Sequence, residues 1–330
     1  MIRSLLNLYR YLKEYGFKCT FIFCLCMLFP YSETKNGRWR RQLIQRKYRT
    51  LTNYLYRHYY QTSESSQQVV SGQNRYNNCI WTAWLQGEEN APEVIRITLA
   101  SIRKHANGHP VIVIGNDNVD QYIVIPQTIR QKHESGAMSH AHYSDVIRMM
   151  ILAQYGGLWL DATMLLHEPI SEEAFQCPFY SVGFSKTNGE KYITGNKWLI
   201  GVVGGYRNSP YLVTIAKMLS RYWTEHSIAI DYFVFDYFVY ILYQADSSFH
   251  LIVDNLPKMV HYTYVLRKII NCPYDEKQLK TLYTDKQIYL LSYRGNYIKK
   301  TPEGDMTFYG YLYNLFLEKN NGAISSDENI

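Results

Sequence analysis

The chain predicts an α/β fold built around a nucleotide-binding sheet, and three observations carry that expectation. A strand–helix–strand run with short turns opens at Cys79. A helix that is apolar nearly all round follows at Asp145–Tyr155, and behind it a short strand ends on a carboxylate, Asp161. The 330 residues are 47% hydrophobic and 19% charged, enough to bury a core, which excludes general disorder. The Gly, Pro and heptad content excludes collagen-like, mucin-like and coiled-coil classes. Tyrosine is abundant, with 32 residues and no repeating period, and by itself decides nothing.

Each element has a local reason. Cys79–Leu85 reads as a strand, and Ala91–His105 as a helix with Pro92 in its first turn, where a missing N–H is tolerated. Val111–Ile114 is a continuous apolar run suited to a buried parallel strand. Ser144 is the expected N-cap of the Asp145–Tyr155 helix, and Gly156-Gly157 its stop. Asp145 and Arg148 interrupt that helix's apolar surface and, three residues apart, share a face. Burying both requires that they pair with each other or hold a ligand. Ligands of open α/β sheets gather at the carboxyl ends of strands, so Asp161 is the expected centre of chemistry. Pro178–Phe184 and Trp198–Val203 read as further strands, Ser209–Trp223 and Ile230–Tyr243 as helices, and Asn320–Ile330 as a frayed tail.

Charge is unevenly placed. Residues 1–60 carry twelve Lys and Arg against Glu14 and Glu33, a local +10, which leaves 23 basic and 26 acidic residues in 61–330. The apolar run Cys19–Phe29 between the basic blocks is shorter than the roughly 20 residues of a spanning helix. It lacks a small-residue cleavage site, so an interfacial helix fits it better than a signal peptide; a helix buried against the body is the alternative. These features divide the chain into a basic, membrane-associating arm (1–60), a polar linker (61–78), a nucleotide-binding core (79–205) and a C-terminal region (206–330). Six cysteines without a CxxC suggest neither a disulfide framework nor a zinc site, and a reducing cytoplasm is the default.

Three segments together resemble the capsular polysaccharide synthesis family of glycosyltransferases, part of the broader DXD-type group. They are Ile80-Trp-Thr-Ala-Trp-Leu-Gln-Gly-Glu-Glu-Asn-Ala-Pro92, His142-Tyr-Ser-Asp-Val-Ile-Arg148 and Tyr155-Gly-Gly-Leu-Trp-Leu-Asp-Ala-Thr163. The start, with Tyr9-Arg-Tyr-Leu-Lys-Glu-Tyr-Gly16, is similar to the N-terminus common in that family. The sharp motifs cover about a third of the chain, and their combination in order is specific where each alone is weak.

The resemblance implies a GT-A fold, Rossmann-like, that binds a nucleotide-sugar, most often UDP-linked, and transfers the hexosyl or N-acetylhexosaminyl group to a hydroxyl. It implies Asp145, Arg148 and Asp161 as catalytic residues, and Trp84, Asp145, Arg148, Trp159 and Asp161 as donor-binding residues. A tryptophan at a strand end can stack on the base; Trp84 matches that place, Trp81 reads as core, and packing remains the alternative for both. The carboxylate of Asp145 would accept from sugar hydroxyls and the guanidinium of Arg148 would meet an anion, or the two form a buried ion pair.

Relatives hold Mn²⁺ or Mg²⁺ on the DXD carboxylates to neutralise the departing diphosphate. Here the motif is Asp161-Ala162-Thr163, a recurring form in the capsular branch, so Asp161 and Thr163 are the expected ligands of a weak, exchangeable ion. The group is retaining, which dispenses with a general base; Asp231 and Asp236 are nominated as acceptor-side carboxylates. His140 and His142 read as surface or capping groups, and Glu88 and Glu89 as solvated surface. The expected protein is a bacterial enzyme, peripheral at the inner face of the cell membrane. Its acceptor is a lipid-linked or growing polysaccharide, with no nucleic-acid partner. The alternatives are a protein-modifying transferase of the same fold and a non-catalytic sugar-binding protein with a degenerate DXD site.

Overall fold

In the computed structural model, the described residues are 2–31, 37–60, 76, 78–185, 191–284 and 287–318. The chain begins with α1 (Ile2–Leu28) and α2 (Arg38–Leu55), followed by β1 (Ile80–Ala83), α3 (Glu93–Lys104) and β2 (Val111–Ile114). Then come α4 (Gln127–Glu134), α5 (His140–Tyr155), β3 (Gly157–Leu160), β4 (Met164–Leu165), α6 (Glu173–Gln176), β5 (Gly183–Phe184) and β6 (Val202–Gly205). The C-terminal region holds α7 (Pro210–Glu225), α8 (Val234–Ala245), α9 (Ser247–Asp254), β7 (Lys258–Met259), α10 (Glu276–Leu282), β8 (Tyr289–Leu290) and α11 (Phe308–Tyr313). The tail Asn320–Ile330 and, apart from Tyr76 and Asn78, the 61–78 linker lie outside the described residues.

The central sheet has the order β2-β1-β3-β6. β1 runs parallel to β2 and β3, and β6 is antiparallel to β3. Successive side chains point to opposite faces of a strand, and here that alternation separates two cores. Trp81, Trp159 and Val203 face the layer of α5, α7 and α8. Ile80, Leu158, Leu160 and Val202 face α3 and the C-terminal elements. Both faces are therefore covered, which explains the near-continuous apolar character of these short strands.

Several boundaries differ from the sequence reading. Helix α5 is capped by Ser139, whose hydroxyl accepts from the His142 N–H at 3.2 Å, not by Ser144. Asp145 and Arg148 consequently sit in its second and third turns, not its first. Pro92 precedes α3 instead of lying within it. Only Gly183–Phe184 of the Pro178–Phe184 run is strand, with Tyr180 adding a single bridge to Gly204. β6 starts later than expected and includes Gly204-Gly205. Ser209 caps α7 with Pro210 at its first position, as expected.

The described residues among the first sixty, α1 and α2, are docked on the body. Tyr11 and Phe23 stack with ring centroids 4.7 Å apart. A straight helix would separate residues twelve apart by about 18 Å, so the chain folds back between them. The reversal is at Gly16, whose φ of 73° and ψ of 176° lie in a region essentially reserved for glycine. Thr20 then donates to the Gly16 carbonyl at 2.8 Å. α1 is thus a helical hairpin, and α2 packs beside it.

Tyrosine hydroxyls make much of the junction. Tyr11 donates to the Ile230 carbonyl at 2.6 Å, Tyr15 pairs with Tyr222 at 2.6 Å, and Tyr59 donates to Glu225 at 2.9 Å. Glu14 faces His226 at 3.1 Å, and Lys47 binds Asp231 at 2.6 Å. Tyr11, Tyr15, Leu51, Leu55 and Tyr59 belong to the same core as α5, α7 and α8. The Cys19–Phe29 run is buried on the body at Cys19 and Ile22, as the alternative expectation had it, while Phe21, Met27, Leu28 and Phe29 are exposed. Among the described residues no helix is long and apolar enough to cross a membrane.

Replacing Gly16 with Ala should lower stability by about 1–3 kcal/mol through backbone strain alone, because an added Cβ there meets no neighbour within 4 Å. Urea unfolding checks this; an unchanged midpoint would show that the reversal does not depend on glycine.

Candidate active site

The carboxyl end of β3 opens into a cleft of ≈ 430 Å³. Trp84, Asp145, Arg148, Trp159, Asp161 and Thr163 all line it, so every residue singled out in the sequence for donor or metal contact converges there. The convergence follows from topology, since β1 delivers Trp84 and β3 delivers Trp159 and Asp161 to the same sheet edge, and α5 crosses above.

Arg148 organises the floor. One guanidinium nitrogen donates to Asp161 Oδ1 at 2.7 Å, and the other donates to the Ile200 carbonyl at 2.8 Å and lies 3.1 Å from Asp145 Oδ1 as an ion pair. The group lies over Trp159 at 5.1 Å and Phe235 at 5.5 Å from the ring centroids, positions that add cation–π attraction. It is 3% exposed, so this is a buried cation shared by two carboxylates. The Asp145–Arg148 pair is an ion pair, and both residues line the cleft.

Asp161 is fixed from two sides. Its Oδ1 also accepts from the Trp159 indole N–H at 2.8 Å, and its backbone N–H donates to the Gly201 carbonyl at 2.9 Å. A Cβ on Gly201 would stand 2.8 Å from Asp161 Oδ2 and 2.4 Å from Met164 Cε, so a side chain there would have to displace both. No described residue hydrogen-bonds Oδ2, which leaves one oxygen for a ligand. Two further donors among the lining residues, the Trp84 indole N–H and Arg148 Nε, are buried without a partner among the described residues.

The metal expectation can be tested against this donor set. Among the described residues no group of three His, Cys, Asp or Glu side chains could hold an ion. Asp161 Oδ2 and the Thr163 hydroxyl, two residues on in the same turn, fit only an ion that takes most of its oxygens from elsewhere.

Asp236, on α8, lines the same cleft and accepts from the Trp198 indole N–H at 2.9 Å. Burial pushes its carboxyl up to about 7; the Trp198 bond opposes this in part. Burial likewise raises Asp145 to about 7, outweighing the nearby Arg148 charge that Asp161 shares. Asp231 corrects the nomination made from sequence: its carboxylate binds Lys47 and accepts from Phe233 N and Tyr237 OH, and it does not line the cleft. His140 pairs with His133 at 2.8 Å, whereas His142 is buried at the cleft wall between Ser139 and the Tyr232 carbonyl. Glu88 forms an exposed fork with Arg103, as a surface residue would. Trp81 is core, donating to the Gly156 carbonyl at 3.0 Å.

Sequence reasoning missed Trp198, Gly201, Phe235 and Tyr293. Tyr293 meets Trp84 edge to face at 5.6 Å because β8 pairs with β4. No spacing rule links the two.

Residues 33–312 match the family described as capsular polysaccharide synthesis protein. No curated protein matches the chain. Among solved structures, one described as PaToxG glycosyltransferase is 12% identical, with a TM-score of 0.37 over 67% of this chain and 90% of its own.

Two predictions follow from the geometry of the cleft. Arg148→Met leaves the buried Asp145 carboxylate and the half-buried Asp161 without their cation and should cost about 3 kcal/mol of stability, measured by urea unfolding. The raised carboxyls also set a pH dependence. The native state keeps protons on Asp145 and Asp236 that the unfolded chain releases above its ordinary value of 3.8, so their contribution is full below that value and is lost as pH rises through about 7. Asp236→Asn should therefore flatten the fall in stability between about pH 4 and pH 8. Parallel wild-type and variant profiles would contradict the assignment.

Proposed function

The chain belongs to the capsular polysaccharide synthesis family, and on that premise we propose that it is a glycosyltransferase that takes a sugar from a nucleotide-sugar, UDP-linked by preference, and adds it to a hydroxyl of a surface polysaccharide. The observation that carries this reading is the Asp145–Arg148–Asp161 constellation at the end of β3, centred on the buried Arg148 and lining one cleft.

The roles follow from the chemistry a nucleotide diphosphate presents. Trp84, which lines the cleft, offers an aromatic face to the base. Arg148 supplies a fixed positive charge beside the diphosphate, in a site from which much water is excluded. Asp161 Oδ2 and Thr163 would hold a divalent ion together with diphosphate oxygens, and that ion, when bound, stabilises the departing phosphate as a Lewis acid. Asp145 and Asp236, with carboxyls near neutrality, suit hydrogen bonds to sugar hydroxyls in either protonation state. In a retaining transfer the anomeric carbon's bond to the phosphate oxygen breaks and its bond to the acceptor oxygen forms. The acceptor proton passes to the leaving phosphate, so the reading requires no general base. The basic, apolar α1–α2 surface would seat the enzyme on an anionic membrane face, near a lipid-linked acceptor.

Thermal melting of the full chain against a panel of nucleotide-sugars, with and without Mn²⁺, tests the proposal. A ligand that binds only the native state raises the melting point by mass action. One UDP-sugar should raise it, more so with metal, and Asp161→Ala should abolish the metal increment. No shift with any nucleotide-sugar in a well-folded sample would favour a degenerate binding site instead. Turnover unaffected by a chelator would remove the ion from the mechanism.

A further inference from the structure

The segment between α7 and α8 faces two ways, toward the N-terminal helices and into the cleft at the end of β3. Its residues 230–233 are each tied down. The Ile230 N–H donates to the Tyr222 hydroxyl at 2.7 Å, and the Ile230 carbonyl accepts from Tyr11 at 2.6 Å. Asp231 Oδ2 pairs with Lys47 of α2 at 2.6 Å, and its Oδ1 accepts from the Phe233 N–H at 3.2 Å. The Tyr232 carbonyl accepts from His142 Nε2 at 3.1 Å. On this fixed backbone the Tyr232 side chain lines the cleft and is nevertheless 66% exposed.

A single exposed aromatic ring is ordinary on a protein surface, so the exposure alone decides nothing. Its company does. Tyr264 and Tyr293 are also exposed and line the same cleft, and only Tyr9 and Tyr206 are otherwise exposed among the described tyrosines. The three cleft tyrosines come from separate stretches, after α7, β7 and β8, and converge on one mouth. The Tyr232 hydroxyl also lies within electrostatic reach of the site: desolvation first, then the charges of Asp145, Asp161 and Asp236, raise it above the ordinary phenol value. A pyranose ring presents C–H groups on its face and hydroxyls around its edge. A phenol matches both, because its negative face attracts C–H groups and its hydroxyl bonds at the edge. Trp84, from β1, already offers a face to the base, whereas Tyr232 enters at the start of α8, the helix that brings Asp236. A ring held on a fixed backbone also loses little freedom on binding. We propose that Tyr232 binds the acceptor, its ring stacking on the acceptor sugar beside Asp236, and that the Lys47–Asp231 pair positions it from the N-terminal helices. The inference rests on the glycosyltransferase reading of the cleft and adds the residues that hold the acceptor ring. Asp231 then serves the site through its neighbour, although its own carboxylate does not line it.

The test uses the full chain, with UDP and Mn²⁺ as the donor-side probe. Maltotetraose, cellotetraose, mannotetraose, galactotetraose and N-acetylated chitotetraose are the acceptor-side probes. Calorimetry reads UDP, and saturation-transfer NMR reads each tetrasaccharide with UDP and Mn²⁺ present. At least one tetrasaccharide should bind, with the strongest transfer to its ring C–H protons. Tyr232→Ala should weaken that sugar at least about tenfold, and Tyr232→Phe, which keeps the ring, should retain most of the affinity. UDP affinity and the melting temperature should be unchanged in both; Tyr232→Gln replaces Tyr232→Ala if that variant fails to fold. Lys47→Met should weaken the same sugar at least about threefold with UDP binding intact, and Lys47→Arg should restore it, a selective loss that a pair serving stability alone would not produce. If UDP binds and no tetrasaccharide does, the acceptor proposal fails alone. A loss of UDP affinity in Tyr232→Ala equal to the loss of sugar would also overturn it, by placing the ring on the donor side. Full sugar affinity in Tyr232→Ala removes the platform, and full affinity in Lys47→Met removes its support. If neither UDP nor any nucleotide-sugar binds the wild type, the transferase reading fails too.

Discussion

One guanidinium holds the centre of this molecule together. Arg148 reaches across from α5 to bind Asp161 after β3, the Ile200 carbonyl ahead of β6 and Asp145 on its own helix, while resting on Trp159. A buried cation with two carboxylates is seldom a source of net stability, because desolvation offsets most of the Coulomb attraction. Its consequence is geometric. The fork fixes how helix, strand and loop stand relative to one another, and it leaves Asp161 with one oxygen still uncommitted. A lysine, with a single point charge, could not make these contacts together.

The sheet places this constellation where a ligand can reach it. Parallel strands β1 and β3 end at the same edge, and the alternation of side chains sends Trp81 and Trp159 into one core and Ile80 and Leu158 into the other. Both faces being covered, the edge is the open approach, and Trp84 and Asp161 stand there. The C-terminal region closes the other side through short β8, bringing Tyr293 against Trp84. Asp236 enters from α8, tied by Trp198. The cleft is therefore assembled from residues spread between Ala83 and Tyr293.

The basic N-terminal segment is part of the same body. Its tyrosines spend their hydroxyls on carbonyls and side chains of the stretch around 222–230, and Lys47 neutralises Asp231. Much of the charge counted in the first sixty residues still faces outward, next to the exposed apolar rim of the hairpin. A surface that is at once apolar and cationic matches an anionic lipid interface.

Local pattern alone determined the strands at 80, 111 and 157, the helix that carries Asp145 and Arg148, and the placing of Asp161 at a strand end. These rest on apolar runs, glycine stops and fixed side-chain periods, which act over a few residues. The helix start was misread because Ser139 and Ser144 are both capable caps. The structure uses Ser139, and His142 in the turn this adds packs on Trp223. Tertiary structure alone decided that Asp231 serves Lys47 while Asp236 faces the cleft. The two are five residues apart on a strongly apolar segment, and nothing local distinguishes them. It also decided the reversal at Gly16, since glycine permits that conformation and only the docking of Tyr11, Tyr15 and Phe23 selects it. Sequence pattern specifies what a short stretch prefers; which distant partner neutralises a buried charge depends on the assembled core.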